Sequence, residues 1–158
     1  MWTSGRRFKY QLEALLKKRR SELDAAIAEE AAAVQALEGM KKQRAQIEDS
    51  IARTEEEMRA ASSPGRPIEQ EKLDLARKYL RQKREELERK EQEVQKAEKL
   101  CEQLRQQKNT IRQSIKTLER HREAKRTERE FELRRAEQRG LDELWLLRRG
   151  SERARGRS

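Results

Sequence analysis

The chain has 158 residues, 44% of them charged, 33% hydrophobic and only 4% aromatic, with a formal net charge of +10. A compact domain usually needs roughly 45–50% apolar residues, so this composition excludes an ordinary globular core and leaves a coiled coil, a long helix or a disordered chain. Its one cysteine, Cys101, cannot close an intrachain disulfide, and with a single histidine, His121, there is no Cys/His cluster at metal-ligand spacing.

The N-terminal stretch "MWTSGRRFKY" lacks the apolar run of a secretory signal. No segment of the chain approaches the roughly 20 apolar residues of a membrane span. The expectation is a cytoplasmic protein without membrane insertion.

A first helix is predicted over residues 6–61. Alternating steps of four and three from Leu12 land on Leu16, Arg19, Leu23, Ala26, Glu30, Ala33, Leu37, Met40, Arg44, Ile47, Ile51, Thr54 and Met58. Ten of these 14 positions are apolar, well above the 33% of the whole chain, so a heptad is present. The segment "SSPGRP" (residues 62–67) then interrupts it. Proline disfavours helix in the residue before it, and glycine accepts left-handed backbone angles. Pro67 suits a first helical position, and Glu69 and Glu71 suit the positive end of a helix dipole.

A second helix is predicted over residues 68–148. Its stripe runs Leu73, Ala76, Leu80, Lys83, Leu87, Lys90, Val94, Ala97, Cys101, Leu104, Lys108, Ile111, Ile115 and Leu118, apolar at 11 of 14 positions. The next steps fall on Arg122, Lys125, Arg129 and Glu132, where the stripe stops. Two stripes of equal length about a central breaker predict a long antiparallel two-helix coiled-coil hairpin, all-α, spanning residues 1–149, with Leu12 near Leu118 and Met58 near Leu73. A straight rod paired with a second chain is one alternative, and a solitary charged helix, against which the stripes count, is the other. The charged seam residues can cover the seam with their aliphatic stems while their charges reach water. His121, between two arginines, is expected to be solvated, and Cys101 to act as a small buried apolar residue. The terminal stretch 150–158, "GSERARGRS", is expected to be a disordered basic tail.

Charge is segregated along the chain. Residues 21–118 carry 20 basic and 20 acidic side chains, residues 1–20 carry seven and one, and residues 119–158 carry 13 and nine. A hairpin brings the two basic termini to one end, where charge would steer an acidic partner. The second helix outlasts the first and carries its own apolar set: Phe131 and Leu133, then Leu141, Leu144, Trp145 and Leu147 in "GLDELWLLRRG". These suit a docking surface, or else packing on Trp2, Phe8 or Tyr10, or a self-dimer. Near the turn, Leu75 and Tyr79 lie off the seam and either widen the core or form a second contact surface. No phosphate loop, dinucleotide fingerprint or H-E-x-x-H motif is present, and two solvated helices supply no pocket to desolvate an acid or base. The expectation is a non-enzyme with no cofactor.

Matched stripes about "SSPGRP", the charged "RRFKYQLEALLKKRR" and the apolar "LDELWLLRR" together resemble the central stalk proteins of bacterial type III secretion and flagellar export, the FliJ/YscO/SctO family. The resemblance covers residues 1–148 as architecture. It implies a monomeric stalk at the cytoplasmic face of a secretion apparatus. The end with both termini would enter a hexameric secretion ATPase, and the other end would reach the export-gate membrane protein. Such a stalk promotes ATPase assembly and protein export, and some members bind export chaperones. On that reading Arg6, Arg7, Lys9, Lys17, Lys18, Arg134, Arg135 and Arg139 face acidic pore loops, Leu141, Leu144, Trp145 and Leu147 add apolar contacts, and Leu75 and Tyr79 face the gate. Two other readings stand beside it. One is a generic coiled-coil scaffold or tether. The other is a nucleic-acid binder, against which the interleaved acids and the lack of a dense basic helix count. An anionic lipid surface is also disfavoured, because the basic residues do not segregate opposite a large apolar face.

Overall fold

The computed structural model describes residues 7–62, 64–65 and 69–157. It contains two long helices, α1 (Glu13–Ala61) and α2 (Gln70–Arg155), which pack against each other as a helical hairpin. By internal contacts the chain divides into two units, Glu22–Thr110 on one hand and Met1–Ser21 with Ile111–Ser158 on the other.

The heptad stripes are the buried faces. Of the 28 seam positions read from the sequence, all except Leu12 are buried or half-buried. Leu37, Ile47, Leu80 and Val94 form the core of the unit containing the turn, and Tyr10, Leu16 and Ile115 that of the other. Each helix is too polar to be held by propensity alone, so burying the other's stripe is what stabilises the pair.

Cross-helix polar contacts set direction and register. As one partner's number rises the other's falls: Glu30 pairs with Lys108, Gln43 with Lys90 at 2.9 Å, and Glu55 with Arg84 at 2.9 Å in the turn unit. In the other unit, Glu13 pairs with Arg122 at 3.5 Å and Arg20 with Glu119 at 3.2 Å. This is antiparallel pairing. The Glu30–Lys108 pair lies in the seam itself, with side chains only 17% and 16% exposed. Most of the remaining ion pairs are i,i+3 or i,i+4 contacts on one helix face, such as Lys90 with Glu93 at 2.8 Å, which support the helix locally.

At the turn, the Ser62 amide is shared between the carbonyls of Met58 and Arg59, at 3.1 and 3.2 Å, and the Ser62 hydroxyl donates to the Met58 carbonyl at 2.8 Å. These bonds close the C-terminus of α1, and Gly65 then adopts φ 99°, the left-handed region that glycine enters without penalty. The expectation for Pro67 lies outside the described residues. The Glu69 carbonyl accepts the Leu73 amide at 3.2 Å, and the Glu69 carboxylate pairs with Lys72 at 3.1 Å as α2 begins.

Three boundaries or environments differ from expectation. First, α1 begins at Glu13 rather than near residue 6, because Tyr10 leaves the helical path to bury its ring and its carbonyl accepts the Glu13 amide at 3.1 Å. Second, α2 does not end near 148: it continues through Gly150 to Arg155, so most of the segment expected to be disordered is helical. Strong helix formers precede Gly150, and Arg153 and Arg155 in the last turn suit the negative end of the dipole. Third, His121 is exposed but not merely solvated, since its Nδ1 shares a hydrogen bond with the Tyr10 hydroxyl at 2.6 Å. Cys101 is half-buried on the seam.

Candidate functional site: the unit carrying both terminal segments

All the described residues assigned from sequence to the basic end belong to one unit, that of Met1–Ser21 with Ile111–Ser158. Arg6 lies outside the described residues, as does Trp2. Within this unit, residues 7–10 run along α2 before α1 begins. Phe8 lies beneath the Arg129 guanidinium, 5.8 Å from the ring centre. Tyr10 is 8% exposed, and its ring lies tilted against that of His121 with centroids 5.5 Å apart. Arg7 and Lys9 line a shallow groove with Arg122 and Arg126, tempered by Glu13 and Glu123. Sequence spacing does not single out Tyr10 and His121 as a pair. Their meeting follows from the antiparallel register, and the only local signal is an aromatic two residues ahead of the Leu12 stripe.

Further along α2 the picture changes. Between Glu123 and Arg157 every residue is exposed except Arg129. Phe131, Leu133, Leu141, Leu144, Trp145, Leu146 and Leu147 are exposed by 54–71%. Neither Phe8 nor Tyr10 covers them, because both are engaged at Arg129 and His121. Arg135 stacks over Phe131 at 5.4 Å and Arg149 over Trp145 at 4.7 Å, so neighbouring arginines shield the aromatic faces. Leu141, Leu144 and Trp145 share one surface with Asp142 and Arg148. Leu146 escapes the sequence reading of this set, because it falls off the i, i+3, i+4 face that links the others. The arginines at 134, 135 and 139 are exposed on the same stretch, as are Lys17 and Lys18 on α1.

In the turn unit, Leu75 is 67% exposed and Tyr79 40% exposed. The Lys83 ammonium sits over the Tyr79 ring at 5.7 Å. Its hydrogen bond to Glu86, foremost, and the nearby Glu86 charge hold the Lys83 pKa above its ordinary value despite some desolvation.

Among the described residues, no group of three or more His, Cys, Asp or Glu side chains could hold a metal ion. No helix among them is long and apolar enough to cross a membrane. No family model, curated protein or solved structure matches the chain. What the site offers is therefore read from its surfaces: a basic groove beside Tyr10, and a long solvated helix with an uncovered apolar set.

Proposed function

We propose that this chain is a central stalk protein of a bacterial type III secretion system. Its terminal unit inserts into a hexameric secretion ATPase, and its turn unit reaches the export gate, promoting ATPase assembly and protein export at the cytoplasmic face of the apparatus. The observation that carries the reading is the joining, in one unit, of two terminal segments with net charges of +6 and +4, while residues 21–118 are neutral. Arg7, Lys9, Lys17, Lys18, Arg134, Arg135 and Arg139, with Arg6, would meet acidic pore loops, and Leu141, Leu144, Trp145 and Leu147 would supply apolar anchors. Leu75 and Tyr79 would contact the gate, and export chaperones are candidate further partners.

The test is the ATP hydrolysis rate of the cognate secretion ATPase with and without the protein, over a range of salt. Stimulation with hexamer formation, weakened far more by Arg6→Glu with Arg7→Glu than by Arg53→Glu, supports the assignment. Equal effects of the two changes remove the terminal unit from the interface, and absence of stimulation at low salt removes the stalk reading. A coiled-coil scaffold is the second reading, favoured by the exposed Leu144 and Trp145; light scattering separates it, since a scaffold assembles in isolation and a stalk stays monomeric.

A further inference from the structure

Helix α1 begins later than its own residues require. Residues 6–13 contain neither Gly nor Pro, and Arg, Lys, Gln and Leu among them are good helix formers. Residues 7–10 are nonetheless non-helical, and a turn at 11–12 leads into α1. The segment alternates as an extended chain does: Phe8 is half-buried and Tyr10 buried, whereas Arg7 and Lys9 are exposed. It is held to α2 by the Tyr10–His121 hydrogen bond at 2.6 Å and by Phe8 beneath Arg129. In exchange Leu12, the first position of the α1 stripe, is left 38% exposed. A reason lies across the seam. The α2 stripe passes from Leu118 to Arg122, Lys125 and Arg129, and the α1 stripe, stepped back by three from Leu12, reaches Lys9. The antiparallel pairs Arg20–Glu119 and Glu13–Arg122 fix the order in which the two stripes meet. Helix continued back from Glu13 would therefore set Lys9 opposite that basic run. Glu13 is already committed to Arg122, and Lys125 pairs along its own helix with Glu128 at 3.3 Å. Lys9 would arrive as a further like charge in a seam where water screens it poorly.

We infer that residues 7–12 are a charge-gated strap with two arrangements: extended, with Tyr10 buried and Lys9 in solvent, or helical and continuous with α1, with Leu12 buried and Tyr10 released. Each arrangement buries one large apolar side chain against the same stretch of α2, so burial favours neither strongly. Local propensity favours the helix, since nothing in residues 6–13 breaks it. What holds the extended form is the repulsion that Lys9 escapes, together with the bond from Tyr10 to His121. Counter-charge near Arg122, Lys125 and Arg129 weakens that repulsion and shifts the balance to helix. Salt does so by screening, and a bound acidic segment would do so locally. The shift frees the Phe8 and Tyr10 rings and withdraws Arg7 and Lys9 from the groove they line with Arg122 and Arg126. The strap does not depend on the stalk reading, although it lies in the same unit.

The test follows the Cα chemical shifts of residues 8–12 by NMR on the full chain, with saturation-transfer experiments to read a minor helical population. Reversing one charge separates gating from packing, because Lys9 is exposed in the extended form. Lys9→Glu should raise the helical-to-extended ratio roughly threefold to tenfold, with Lys9→Arg leaving it unchanged. Tyr10→Ala, which removes the ring that holds the strap, should give helical shifts at residues 8–12 together with slower amide exchange there. In the unaltered chain the helical population should rise from low to high salt, and in Lys9→Glu it should fall. Equal ratios for Lys9→Glu and Lys9→Arg overturn the proposal. So do random-coil shifts at residues 8–12 in Tyr10→Ala, which would make the segment a tether held only by its ring, and a helical population that salt does not move.

Discussion

Two stretches of the same helix, residues 73–118 and residues 119–155 of α2, have similar chemistry and opposite surroundings. Both are rich in Arg, Glu and Gln, and both are helical. In the first, the residues at heptad positions are buried against α1, down to 1% exposure at Val94. In the second, leucines and a tryptophan stand exposed by more than half. Helix in both stretches has local support, from propensity and from i,i+3 and i,i+4 ion pairs. Burial is not local: it depends on whether the chain supplies a second stripe at the matching distance from the turn.

The sharpest way to break this comparison is to truncate one leucine of the packed seam and one of the exposed extension. Leu16→Ala, at a fully buried position, should cost about 3 kcal/mol, whereas Leu144→Ala should stay within about 0.5 kcal/mol. Thermal or urea unfolding followed by circular dichroism reads both. A comparable loss for the two would mean that the extension folds as part of the core.

The seam's own polar pair offers the next largest effect. Glu30→Leu alone leaves the Lys108 ammonium in the seam, and because the pair is not fully excluded from water the cost should be about 1–2 kcal/mol. Adding Lys108→Leu should recover most or all of that. A double-mutant cycle in urea measures it, and additive losses would show that the pair contributes nothing as a pair.

Two glycines sharpen the contrast further because their signs oppose. Gly65 has φ 99°, so Gly65→Ala should destabilise by about 1 kcal/mol although nothing lies within 4 Å of the added methyl. Gly140 sits in the extension, also with nothing within 4 Å, at a helical position. Gly140→Ala should add about 0.5–1 kcal/mol to local helix, seen as slower amide exchange at residues 136–146, with the midpoint of global unfolding unchanged. A midpoint that rises with Gly140→Ala would tie the extension to the hairpin.

The last contrast concerns Tyr10. Tyr10→Phe keeps the ring against His121 and removes only the hydroxyl at 2.6 Å from Nδ1, a loss of about 1 kcal/mol or less. An unchanged midpoint would reduce that contact to packing.

Much of this architecture is legible in the residues. Matched stripes on either side of Pro64–Gly65 set two helices face to face, and 27 of the 28 positions read from spacing are the less exposed ones. The exception, Leu12, is instructive. At 38% exposure it lies outside the core, while Tyr10, two residues earlier, is inside. Spacing cannot foresee a chain that leaves its helix to bury a larger ring. The candidate surfaces are legible in part: charge segregation and the Leu141–Leu147 cluster follow from composition, whereas the Tyr10–His121 and Phe8–Arg129 contacts do not.

What the sequence by itself determined is everything local: helix on both sides of one break, the identity of the buried stripes, and the concentration of charge in the terminal segments. Periodicity and propensity act over one or two turns, so the linear order of residues contains them. Only the tertiary structure decided the register marked by Glu30 and Lys108, the burial of Tyr10, and the solvation of every described side chain on the last turns of α2. Those outcomes turn on which residue of one helix meets which residue of the other, a choice made by the packing energy of the whole seam rather than by any neighbour along the chain.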